Sequence, residues 1–132
     1  MIKAEEIMIG DWVYVDNIPR QVEVITKNKI GYYKNEQNNG RLYYARLHEV
    51  EGIKLTDALL EKHFHQEVKS NSFLLQFGVY DIYVNIQRKD YCLLTVENGI
   101  FRCDPLMNVG LKNSLHIFQN ALRIYNIELK WF

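Results

Sequence analysis

The chain has 132 residues, 48% of them hydrophobic and 24% charged, the balance of a globular domain large enough to bury a core. Its 16 basic and 16 acidic residues cancel, which removes the simplest electrostatic case for a phosphate-backbone or anionic-membrane partner and leaves little protection against self-association. Two cysteines, Cys92 and Cys103, are too few for a disulfide scaffold, and no apolar run is long enough to span a bilayer.

The charged start Met1-Ile2-Lys3-Ala4-Glu5-Glu6 lacks the apolar stretch of a signal peptide, so a cytoplasmic, non-membrane protein is expected. Prolines stand only at Pro19 and Pro105, and no Ser/Gly/Pro linker divides the chain. Residues 1–132 therefore read as a single domain, with lobes 1–50 and 53–132 meeting near Glu51-Gly52.

In chain order, Ala4 to Met8 suits one helical turn ended by Gly10. Asp11 to Val15 then alternates, Trp12 and Tyr14 on one face and Val13 and Val15 on the other, the period of a half-buried strand. Asp16-Asn17-Ile18-Pro19 is turn chemistry, and Arg20 to Thr26 resumes as strand. Ile30 to Glu36 and Arg41 to Leu47 flank Asn39-Gly40, a type I′ hairpin signal. A two-residue turn there sets Lys34 opposite Ala45, Tyr33 opposite Arg46 and Tyr32 opposite Leu47.

Thr56 suits a helix N-cap, Asp57 the positive end of the dipole, and Leu55 a staple onto Leu60; the helix should end near His63 to His65, with polar residues following to Ser72. Tyr80, Ile82, Val84 and Ile86 alternate with Asp81, Tyr83, Asn85 and Gln87, a strand with one wet face. Gln87 to Asp90 turns the chain, and Cys92, Leu94 and Val96 form the next apolar set. Asn98-Gly99 supplies a second I′ signal, whose register joins Val96 to Phe101 and Leu94 to Cys103 with agreeing apolar character.

An amphipathic helix is predicted from about Ser114 to Tyr125. Leu111, Leu115, Phe118, Leu122 and Tyr125 form its apolar stripe, widened by Ile117, Ala121 and Ile124. His116, Gln119, Asn120 and Arg123 line the other side, read as a solvated outer face. Asn126 suits the left-handed C-terminal position, Ile127 can pack back on the last turn, and Glu128 to Phe132 can add a short strand.

Chemistry-bearing motifs are scarce. His63 and His65 are two apart, not the three or four of zinc helices, so no metal or cofactor is expected. Cys92 or Cys103 as a nucleophile would need a base, for which His116 is the candidate, but both thiols fall in the inward apolar set. Glu5-Glu6, Asp11, Glu49, Glu51 and Asp57 are scattered, and no phosphate loop, dinucleotide fingerprint or nucleophile elbow is present. Nine tyrosines and two tryptophans are the informative surplus. Tyr33, Tyr44 and Arg46 should share one hairpin face, away from Tyr32 and Leu47, a set suited to a protein contact or to stacking on single-stranded bases. Packing between the lobes is the structural alternative for the same face.

Ile9-Gly10-Asp11-Trp12-Val13-Tyr14-Val15, followed by Val22 and Val24, resembles the opening of SH3-like barrels, including the KOW type. Ile18-Pro19-Arg20 stands where the KOW pattern carries glycine, so the resemblance implies a fold for about the first fifty residues rather than an RNA or ribosome contact. The whole chain also resembles an uncharacterised family of small Bacteroidetes-type bacterial proteins. The matching segments are Glu6 to Val13, Ile53-Lys54-Leu55-Thr56 with Leu59-Leu60-Glu61-Lys62, and Leu115-His116-Ile117-Phe118-Gln119-Asn120-Ala121-Leu122. That resemblance implies a bacterial cytosolic setting, with carriage on mobile elements, and it carries no particular activity across to this chain.

The expectation is thus an α+β fold, mostly antiparallel, with an SH3-like N-terminal lobe and a hairpin sheet covered by a C-terminal helix. Its expected role is a non-enzymatic protein-interaction module, the partner being another protein or a second copy. Single-stranded nucleic-acid binding through Tyr33, Tyr44 and Arg46, with Arg20 and Arg41 nearby, is the alternative. A thiol-dependent enzyme using Cys103 or Cys92 with His116 is the weaker one.

Overall fold

The computed structural model describes residues 2, 4–34, 40–67, 72–78, 80–85, 90–97, 100–105 and 114–132. Its strands are antiparallel and lie in three small sheets, with the longer helix near the C-terminus, an α+β fold. Two compact units divide the chain, one of Met1–Lys54, Ser114–Asn120 and Phe132, the other of Leu55–Asn113 and Ala121–Trp131.

A two-residue turn opens the first unit. Asp16 and Asn17 sit at φ 53° and 62°, the left-handed pair that a tight hairpin needs, and join β1 (Trp12–Val15) to β2 (Ile18–Gln21). The expected alternation holds: Val13 and Val15 are buried, whereas Trp12 and Tyr14 are only partly so. The predicted strand from Arg20 to Thr26 is interrupted. Val22 N donates to the Asp11 carbonyl (2.8 Å) and Gly10 N to the Val22 carbonyl (2.7 Å), which spends the Val22 ladder bonds on the loop before β1. The chain then enters β3 (Val24–Ile25), β4 (Lys29–Tyr32) and β5 (Tyr43–Arg46), which form their own sheet. A 3-10 turn, Leu47–Glu49, leads into β6 (Val50–Gly52), which returns to pair with β1. The strands of this unit thus lie in two three-stranded antiparallel sheets, ordered β2-β1-β6 and β3-β4-β5. Its core joins Val13, Val15, Val22, Ile30, Tyr32, Ala45 and Val50 to Ile2 and Ile7.

The first hairpin register departs from expectation by four residues. Tyr32 pairs with Tyr43, Gly31 with Tyr44, Ile30 with Ala45 and Lys29 with Arg46. Gly40 does take a positive φ of 77°, but Asn39 lies outside the described residues. The hydrophobic pattern outweighs the turn signal. Ala45 is buried, and a two-residue turn would set Lys34 opposite it, whereas the observed register sets the fully buried Ile30 there. An even slip keeps every side chain on its own face.

In the second unit, α1 (Asp57–Leu60) starts as predicted, with Thr56 Oγ1 accepting from Leu59 N (3.3 Å) and Leu55 and Leu60 both buried. Five strands follow in a meander: β7 (His65–Glu67), β8 (Ser72–Phe77), β9 (Tyr80–Asn85), β10 (Asp90–Glu97) and β11 (Ile100–Pro105). The sequence reading left β7 and β8 out. The β10–β11 register is the one predicted, Leu94 opposite Cys103 and Val96 opposite Phe101, although Asn98 and Gly99 themselves lie outside the described residues. So do Ile86, the Gln87–Lys89 part of the turn before β10, and Leu111.

The last helix, α2, spans Leu115–Arg123. Its termination follows the predicted chemistry: Asn126 adopts φ 59°, Ile127 N donates back to the Leu122 carbonyl (3.1 Å), and Ile127 is buried. No strand forms over Glu128 to Phe132. The helix is shared between the units. Ser114–Asn120 belongs to the first, where the sequence reading had given the whole helix to the second lobe as cover for its sheet.

Candidate interaction face

Strand β5 is where the tyrosine surplus reaches solvent. Alternation sends Ala45 into the core and leaves Tyr44 and Arg46 on the outer face, with Tyr44 53% exposed. Tyr44 lies opposite Gly31, and the glycine matters there. A Cβ at Gly31 would meet Tyr44 Cε1 and Val24 Cβ, each at 3.1 Å, so the tyrosine ring lies across the space a side chain would fill. Ring-over-glycine packing of this kind fixes an aromatic group without burying it. One step along the ladder, Arg46 stands opposite Lys29, and both are exposed.

Tyr33 is 40% exposed but follows the end of β4, so it is not the ladder partner of Arg46 that the sequence suggested; Lys29 is. The inner face carries the other tyrosines. Tyr32 and Tyr43 have ring centroids 6.3 Å apart, with the Arg20 guanidinium 5.4 Å from the Tyr32 ring centre. Lys34 Nζ stands 4.3 Å from the centre of the Tyr43 ring and the Arg41 guanidinium 5.4 Å from it. Such cation–ring contacts are worth about 0.5–1 kcal/mol each at exposed sites.

The polar stripe of α2 is not a solvated face. His116 and Gln119 are 1% and 7% exposed, whereas Ile124, just past the end of α2, is 78% exposed. Gln119 Oε1 accepts from Trp12 N (2.9 Å), and its Nε2 donates to the Gly10 carbonyl (3.4 Å). Asn120 Nδ2 donates to the Glu6 carbonyl (2.9 Å) and to Asp11 Oδ2 (3.0 Å), while Asp11, fully buried, also accepts from Met8 N (2.9 Å). His116 Nε2 stands 3.6 Å from Glu6 Oε2, and a Cβ on Gly52 would meet the His116 ring at 3.2 Å. The stripe thus ties the turn before β1 to the helix, satisfying backbone groups that would otherwise be buried unpaired. It also explains the Gly-Asp start. Gly10, at φ 96°, turns the chain, and Asp11 holds the turn through the Met8 amide.

In the ladder Cys92 stands opposite Tyr83 and Pro105, and Cys103 opposite Leu94, so the two cysteines are not register partners. The buried Ile82 and Val84 of β9 stand opposite Leu93 and Tyr91 of β10. His63 Nε2 lies 2.6 Å from the Lys130 carbonyl and therefore carries the proton, its ring set edge-on to Trp131 at 5.2 Å. Among the described residues no group of three His, Cys, Asp or Glu is arranged to hold a metal ion, and no helix is long and apolar enough to cross a membrane. No family model matches the chain, and no curated protein or solved structure shows significant similarity to it.

Proposed function

We propose that this chain is a non-enzymatic protein-interaction module of the bacterial cytosol, of the kind its three Bacteroidetes-type segments suggest, and that it binds through Tyr33, Tyr44 and Arg46. The observation that carries the reading is Tyr44, its ring lying across Gly31 while half its surface stays open to solvent. An ordered, exposed tyrosine beside an arginine offers large contact area at little entropic cost, the pattern of interface anchors.

The test pans a random decapeptide library with the wild-type chain, then measures the enriched peptides against a Tyr44→Ala/Arg46→Ala variant. Loss of binding with the fold intact is the expected result. Equal binding to both chains, or a variant that unfolds while self-association is unchanged, would assign the face to folding instead.

Single-stranded nucleic acid is the second reading. It is favoured by one observation, a seated aromatic ring within two residues of a cationic pair, since bases stack on such rings while phosphates meet the cations.

A further inference from the structure

The outer face of the β3–β4–β5 sheet has a charge pattern that folding does not account for. Lys29 and Arg46 are directly opposite in the ladder, an arrangement that brings like charges within about 5 Å at Cβ and is unfavourable in isolation. No residue of β3, β4 or β5 is acidic, and among the described residues neither Lys29 nor Arg46 has an acidic partner. Lys34 and Arg41, exposed where the chain leaves β4 and enters β5, stand over the Tyr43 ring of the other face and leave Lys29 and Arg46 as the cations of this one. A chain of zero net charge has therefore set two cations side by side on one sheet face, next to a tyrosine that is already seated.

We propose that this face docks an acidic, extended segment of a partner protein, its carboxylates meeting Lys29 and Arg46 and an apolar side chain lying on Tyr44; this rests on the interaction reading above. Charge complementarity selects the occupant. A second copy docked face to face would set these cations against themselves, whereas an acidic strand relieves the Lys29–Arg46 repulsion on binding. An extended segment fits because side chains two apart on a strand share a face, which matches the spacing of Tyr44 and Arg46.

The probe is a fluorescein-labelled decapeptide of alternating Glu and Val, followed by anisotropy. Binding should weaken about tenfold or more in Lys29→Ala/Arg46→Ala, and likewise when salt is raised. In Lys29→Glu/Arg46→Glu the preference should invert toward a Lys and Val peptide. Far-ultraviolet circular dichroism confirms that both surface variants remain folded. If a neutral decapeptide of alternating Gln and Val binds as well as the acidic one and its binding is lost in Tyr44→Ala, the charge inference falls while the interaction face stands. If neither peptide binds, this proposal falls, and the panning result decides separately on the interaction reading. Tighter binding of a ten-nucleotide oligothymidylate than of the acidic peptide would also overturn it, in favour of nucleic acid.

Discussion

Gly31→Ala isolates the seat of Tyr44. Gly31 has no positive φ, so alanine can adopt its backbone, and at such a position the substitution ordinarily stabilises by about 0.4–1 kcal/mol through the unfolded chain. Here the new Cβ would stand 3.1 Å from Tyr44 Cε1 and 3.1 Å from Val24 Cβ, against ordinary contacts of 3.4–4 Å. Val24 Cβ is fixed to its strand and cannot rotate away, so the tyrosine must swing out or β3 must shift. Overpacking of this kind costs about 1–3 kcal/mol, which exceeds the entropic gain and leaves a net loss of roughly 1 kcal/mol. Chemical denaturation reads this as a lower midpoint with an unchanged slope, and the acidic-peptide affinity should fall with it. A Gly31→Ala protein as stable as the parent, with full peptide binding, would show that the ring is not seated on the glycine.

Three further substitutions test the framework. Gln119→Ala removes the acceptor of the part-buried Trp12 amide and should cost about 2 kcal/mol, whereas Arg123→Ala, in the same sequence stripe but paired with the largely exposed Glu128, should cost less than about 1 kcal/mol; equal losses in thermal or denaturant melts would contradict the buried network. Thr56→Ala should destabilise by about 1 kcal/mol through loss of the Leu59 amide cap, with Thr56→Ser nearly neutral in the same measurement. Asn126→Ala should cost about 1 kcal/mol because of its φ of 59°, whereas Asn126→Gly should be neutral or stabilising; the reverse order in thermal melts would refute the left-handed cap.

Features decided within a few residues were legible in the sequence. The Trp12–Val15 alternation, the Thr56 cap, the Asn126 terminator and the β10–β11 register all follow from local stereochemistry and were read from it. The Asn39-Gly40 hairpin misled because a turn signal is local, while register is settled by which residues the core accepts. Opposite Ala45 the core accepts Ile30 and would have excluded Lys34. The buried stripe was invisible for a related reason. The partners of Gln119 and Asn120 lie 107 to 114 residues away, and nothing near a polar side chain in sequence announces a backbone amide waiting at that distance. Strands β7 and β8 escape the pattern because His65–Glu67 carries no apolar residue and Ser72–Phe77 mixes polar and apolar residues without clean alternation. At the candidate face, the composition pointed to Tyr44 and Arg46, but Lys29 was unreachable without the correct register.

The helix residues that complete the first unit carry a consequence for synthesis. The acceptor of the Trp12 amide is made 107 residues after it, a wait of about 5–20 s at ribosomal speed. Throughout that interval the nascent N-terminal strands lack Gln119 and the Asn120 amide that bonds to the Asp11 carboxylate. Such long-range closure slows folding, because a large loop must be ordered before its contacts form. The part of the protein that is translated first is therefore among the last to be finished.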